Sequence, residues 1–270
     1  MKNTLSQHLR SWPLLLLTCV SMPVAQADTV PIRYVQGAFH GFLELRSEDG
    51  HVAAVGDSTS VVHGDRVTVE TLFRFKDGSV DDETAVFTQR RVFQLISDRH
   101  VQKGPSFPHP MDVLIDVRSG TVTVHSPGKD GKEQVETDHM KLPADLANGI
   151  VPQMIENERS GGPATTVSMV VMTPKPRVVK LVISKMGEDN TTVGGVARKA
   201  THYEIKIDLG GLVGVIAPLI GKAPPNIQMW IIGGNAPTFA REIGPLYSEG
   251  PMMTIQLASP VWADLQKSGD

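Results

Sequence analysis

The sequence predicts a mainly β protein: a long curved antiparallel sheet wrapping one or two short helices as a half-barrel, with a two-sheet β-sandwich as the alternative. Three observations lead there. Apolar and polar residues alternate with period two over several stretches. Gly and Pro, together 44 of 270 residues, punctuate those stretches and do not gather into a linker. Helical spacing is confined to two short segments.

Residues 1–27 read "MKNTLSQHLRSWPLLLLTCVSMPVAQA". Lys2 and Arg10 make a basic start, 14–20 a short apolar run, and Ala25-Gln26-Ala27 a small-residue cleavage site, the pattern of a signal peptide. The apolar run falls short of the roughly 20 residues that cross a bilayer. Residues 28–270 are then expected as a single exported β-rich domain, periplasmic or secreted. Cys19, the one cysteine, leaves with the leader; Thr18 before it argues against acylation of that thiol. The mature chain therefore has no disulfide and no thiol nucleophile, although its compartment would permit disulfides. It carries 24 basic against 29 acidic residues, which disfavours nucleic acid as a partner.

The strands follow in order. In "VTVETLFRF", 67–75, Val67, Val69, Thr71, Phe73 and Phe75 share one face, which makes a half-buried strand. "FKDGSVDDET", 75–84, supplies a turn at Lys76-Asp77-Gly78, because Asp-Gly tolerates positive φ. Its four acids suggest a calcium loop, but an EF-hand loop started at Asp77 would place Asp82 at the glycine position and Thr88 at the final glutamate. The stretch reads instead as a solvated turn, with Asp81 and Asp82 exposed. "RRVFQLISDRHVQ" resumes an extended chain, and "DVLIDVRSGTVTVH", 112–125, is a hairpin through Ser119-Gly120. Residues 177–211 read as a further antiparallel pair with a long polar connection.

Helix is expected at 142–158, "LPADLANGIVPQMIENE", where Leu146, Ile150, Met154 and Ile155 are spaced for one buried face. Gly149 and Pro152 should divide it into two short helical turns. The second candidate, "LVGVIAPLIGKAPP" at 212–225, is broken by Pro218. A short apolar cover over a sheet suits it, either as a lid that shifts or as a fixed core plug.

The phrases "FRFKDGSVDDETAVFTQRRVFQLISDRHVQKGPSFP", "LPADLANGI", "GGVARKATHYEIKIDLGGLVGVIAPLIGKAPP" and "EIGPLYSEGP" resemble a family of exported bacterial proteins of unknown function. The likeness spans roughly 40–260 and implies no activity or cofactor. More distantly, the outline is similar to the lipoprotein carriers LolA and LolB, whose half-open barrels hold acyl chains.

The chain has no nucleophile elbow, no His-Glu-x-x-His, no phosphate loop and no dinucleotide fingerprint. The histidines after the leader lack the i, i+2 and i, i+4 spacings of a local metal pair. Neither a catalytic residue, a metal ligand nor a cofactor is assigned. The strongest polar cluster is "SDRHVQKGPSFPHPMD", 97–112, read as a Pro-rich loop on which Asp98, His100, His109 and Asp112 would converge if it serves a metal-dependent enzyme or envelope hydrolase. The leading reading is a non-catalytic binder of a lipid or other apolar ligand in a β cavity, with peripheral membrane contact. Ile216, Leu219, Met229 and Trp230 are its candidate ligand residues, beside the flexible Met169 and Met172. An assembly protein offering a sheet edge is the third class.

Overall fold

The computed structural model describes residues 29–128, 132–159, 161–172, 175–210 and 224–258. Residues 1–27, expected as a leader, and most of the 212–225 segment, Ile216 and Leu219 included, lie outside the described residues.

One antiparallel sheet of fourteen strands holds the chain. The first eight form a meander: β1 (Phe39–Ser47), β2 (Val52–His63), β3 (Arg66–Phe75), β4 (Val80–Gln89), β5 (Phe93–Lys103), β6 (Met111–Asp116), β7 (Thr121–Pro127) and β8 (Glu133–His139). A helix, α1 (Val151–Glu156), follows. A second meander then runs through β9 (Thr165–Val171), β10 (Arg177–Val193), β11 (Val196–Asp208), β12 (Ile227–Ile232), β13 (Thr238–Pro245) and β14 (Met252–Ala258). β14 pairs with β1, so the two meanders join at mid-sheet and β8 and β9 stand at opposite edges. The sheet is not closed. Because the chain passes from one edge to the other through α1, that connection must cross the concave side.

The core confirms the curvature. Val69, Phe87 and Ile115 from the first arm pack in one cluster with Leu181, Ile205 and Met229 from the second, around Ile150, Met154 and Ile155 at 0–1% exposure. Strands so far apart in the sheet order share a cluster only if the sheet wraps around the helix. This is the half-barrel the period-two stretches predict, and the two-sheet sandwich is excluded.

Local expectations are corrected at three places. The helix is six residues long, starting just after Gly149; residues 145–148 are not a helical turn but a strap along β9. There the Ala147 N–H donates to the Ser168 carbonyl at 2.8 Å, the Ser168 N–H to the Asp145 carbonyl at 3.1 Å, and Asn148 brackets Val170 with two hydrogen bonds. The strap occupies an edge that would otherwise be open to another chain. Next, the polar residues after Lys185 are no loop. β10 runs to Val193 and turns through Gly194-Gly195, both at positive φ, with Thr191, Thr192 and Val193 suited to extended chain. Finally, 97–112 is not one loop, because 97–103 belong to β5 and 111–112 to β6.

Candidate functional site

The concave face encloses a cavity of about 1970 Å³. Its apolar walls come from both arms: Val113, Ile115 and Val124 face Leu181, Ile205 and Met229. Met169 and Met172 line it too, as expected of adaptable side chains. Trp230 does not. Successive strand residues alternate faces, so the neighbour of Met229 points outward, stacked on His202 at 4.5 Å between ring centroids and covered by the Arg241 guanidinium at 5.1 Å. Of the four candidate ligand residues, Met229 thus reaches the cavity and Trp230 turns away from it.

Across the first arm one register row lines the cavity floor: Gly41, Ser58, Thr71, Glu83, His100, Val113 and Val124 are successive cross-strand partners from β1 to β7. The middle of that row is polar. Ser58 and Thr71 hydroxyls lie 3.2 Å apart, and His100 Nε2 lies 2.6 Å from Asp81 Oδ1. Gln102 donates to Asp81 Oδ2 at 3.1 Å and to the Leu246 carbonyl at 2.9 Å, pinning the carboxylate. Asp98 lies two residues before His100, 3% exposed, with its Oδ1 lacking a hydrogen-bond partner. From the second arm Glu242, register partner of Met229 and Ile255, lines the same cavity.

The acids of "FKDGSVDDET" therefore divide. Asp77 holds the turn, its Oδ1 accepting the Ser79 N–H at 2.9 Å while Gly78 takes φ +85°. Asp81 and Glu83 belong to β4 and face inward, where the sequence reading placed Asp81 in solvent. Nor do the four residues of 97–112 converge. Asp98 and His100 face the cavity, His109 lines it from the following loop, and Asp112 is on the outer face, held by Arg99 at 2.6 Å. Among the described residues no group of three or more His, Cys, Asp or Glu is arranged to hold a metal ion.

Burial and crowding shift the charges. Desolvation, then the charge of Glu83, pushes Asp98 well above the usual carboxylate range. Burial likewise raises Glu83, and it raises Glu242 to about 7 with help from the charge of Glu83. Glu156 in α1 reaches about 7 through burial, opposed by hydrogen bonds from the Phe239 N–H and Gln36. His100 behaves in the opposite sense: burial disfavours its cation, but the Asp81 hydrogen bond and the surrounding carboxylates outweigh burial and lift it to about 9.

These shifts have one sign. A group whose pKa is raised on folding contributes stability below its unfolded value and loses it as pH climbs through the folded one. For Glu156 and Glu242 the loss runs from about 4.5 to 7, and for His100 from about 6.5 to 9. The lowered exposed aspartates, Asp49, Asp65 and Asp77, act only below pH 4. The melting temperature is expected to peak near pH 4 and fall by roughly 10 °C by pH 9. Differential scanning calorimetry across that range checks it, and a flat or rising profile would contradict the buried placement of these groups.

No family model and no curated protein matches the chain. Among solved structures it is similar to a hypothetical lipoprotein, YmcC, from Escherichia coli (K12), at 8% identity and a TM-score of 0.33, over 83% of this chain and 86% of that one. That structure is neither LolA nor LolB.

Proposed function

We propose that the protein is an exported, envelope-associated, non-catalytic binder that holds a lipid or other apolar ligand inside the half-barrel. The cavity carries this reading. Its volume of about 1970 Å³ is roughly twice the ~1,000 Å³ upper range of pockets for small molecules, and apolar side chains of both arms form most of its walls. Tyr34, Val35 and Phe39 line the cavity while remaining 37%, 73% and 42% exposed, which supports contact of its rim with a membrane surface. The assembly reading has less support, since the strap covers β9 and β8 presents the polar run "EQVETDH".

The neutral dye Nile red tests the reading. The wild-type protein should bind it with a strong rise in fluorescence. Val124→Trp and Ile207→Trp, which fill the cavity from opposite arms at half-buried positions, should each weaken binding about tenfold, or about 1.4 kcal/mol, while the circular dichroism stays that of a β protein. A wild-type protein that leaves the dye dark removes the apolar-ligand reading.

A further inference from the structure

Resting on that reading, we infer that the ligand is a cationic amphiphile, whose positively charged amine-type head seats between Glu83, Asp98 and Glu242 while its apolar chain lies along the walls. A bare apolar cavity would not need carboxylates, and burying them unpaired is unfavourable. Five line this one, and besides Glu156 of α1 and Glu249 three stand on strands of both arms, Glu83 and Asp98 on β4 and β5 and Glu242 on β13. Glu83 and Glu242 retain accessible surface and are close enough that the charge of one weighs on the other.

Asp98 provides a separate observation. Almost wholly buried on the cavity lining, it has an Oδ1 that packs toward Gly149 with no donor from the protein, and buried polar atoms without partners are uncommon in native structures. The one buried cation beside it, His100, offsets the burial of Asp98 only in part. His100 is turned to Asp81 at 2.6 Å, and among the described residues Arg33 is the one lysine or arginine on the cavity lining. Arg33 is exposed, its backbone N–H donating to Asn157 Oδ1. A ligand bearing an ammonium or guanidinium group in the cavity would bring the missing positive charge. An anionic head, such as a fatty-acid carboxylate, would meet repulsion at the same place.

Displacement of Nile red by dodecylamine, dodecanol and dodecanoate, each below its micellar concentration at pH 7.5, separates the outcomes. The amine should displace the dye at concentrations about tenfold or more below the alcohol, the span of one charge-assisted contact, and the carboxylate should be weakest. Glu83→Gln with Glu242→Gln should bring the amine to the level of the alcohol, read as the ratio of their displacing concentrations. If that double variant does not fold, the ranking of the three compounds on the wild-type protein decides alone. Alcohol equal to or better than amine overturns this inference and leaves the apolar-ligand reading standing. An amine preference that survives in a folded double variant overturns it as well, and failure of the dye and all three compounds to bind overturns both.

Discussion

Gly149→Ala is expected to cost about 3 kcal/mol of stability, the largest effect of adding a single methyl group near the candidate site. Two terms add. The glycine has φ +66°, where an L side chain costs about 1–2 kcal/mol. A Cβ there would also lie 2.6 Å from Asp98 Oδ1 and 2.7 Å from the Ala85 Cβ, and overpacking of that kind costs about 1–3 kcal/mol. Neither neighbour has room to give, since Ala85 is 1% and Asp98 3% exposed. Gly78→Ala is the control: its φ of +85° carries a comparable backbone term, yet nothing lies within 4 Å of the added atom. Urea unfolding of the two variants isolates the packing term as their difference. Equal losses would mean that the turn before α1 does not press against β4 and β5 as closely as the structure places it.

That close approach explains which parts of the molecule could be read from the sequence. The strands were legible because alternation is a local property. Val67, Val69 and Phe73, picked out for one face of β3, are all buried. The buried residues at 142–158 were legible too, since Leu146, Ile150, Met154 and Ile155 are all at 0–1% exposure, although Leu146 stands on the strap and only Met154 and Ile155 are in the helix. The acids were misplaced because acidic density outweighed phase. Asp81 and Glu83 are in step with Ala85 and Phe87, and that periodicity was the available signal for an inward-facing pair.

On β5 the sequence holds no such signal. Phe93 and Leu95 face inward, and simple alternation would send Asp98 and His100 outward. A bulge intervenes: Val86 pairs with Ser97 but Phe87 with Leu95, leaving Ile96 as the extra residue. One inserted position reverses the faces of everything after it. The polar floor of the cavity exists because of that bulge, and nothing in the composition around Ile96 announces it. The second arm poses a different difficulty, because Met229 and Trp230 are equally apolar and only the register with β13 decides which of them looks inward.

Asp81→Ala should destabilise the protein by about 3 kcal/mol near pH 7, the low end of the range for removing one partner of a buried ion pair. Asp81 is 6% exposed, and its two oxygens serve different donors, His100 at 2.6 Å and Gln102 at 3.1 Å. Removing it leaves the imidazole without its carboxylate and one N–H of Gln102 without an acceptor. Because the Asp81 hydrogen bond is the largest influence raising His100 to about 9, its loss lets burial pull that histidine down, so the ring is neutral in the variant where it is charged in the parent. The penalty therefore depends on pH. The contribution of the pair is fully present below about 6.5 and is lost as pH rises through 9. At pH 10 both proteins hold a neutral ring, and the gap should shrink to the roughly 1 kcal/mol of the remaining hydrogen bonds. Urea unfolding at pH 7 and pH 10 gives the two values directly. A gap independent of pH would mean the contact is not ionic, and a gap within about 0.5 kcal/mol at pH 7, the range for exposed surface changes, would return Asp81 to the solvated turn that its acidic neighbourhood suggests.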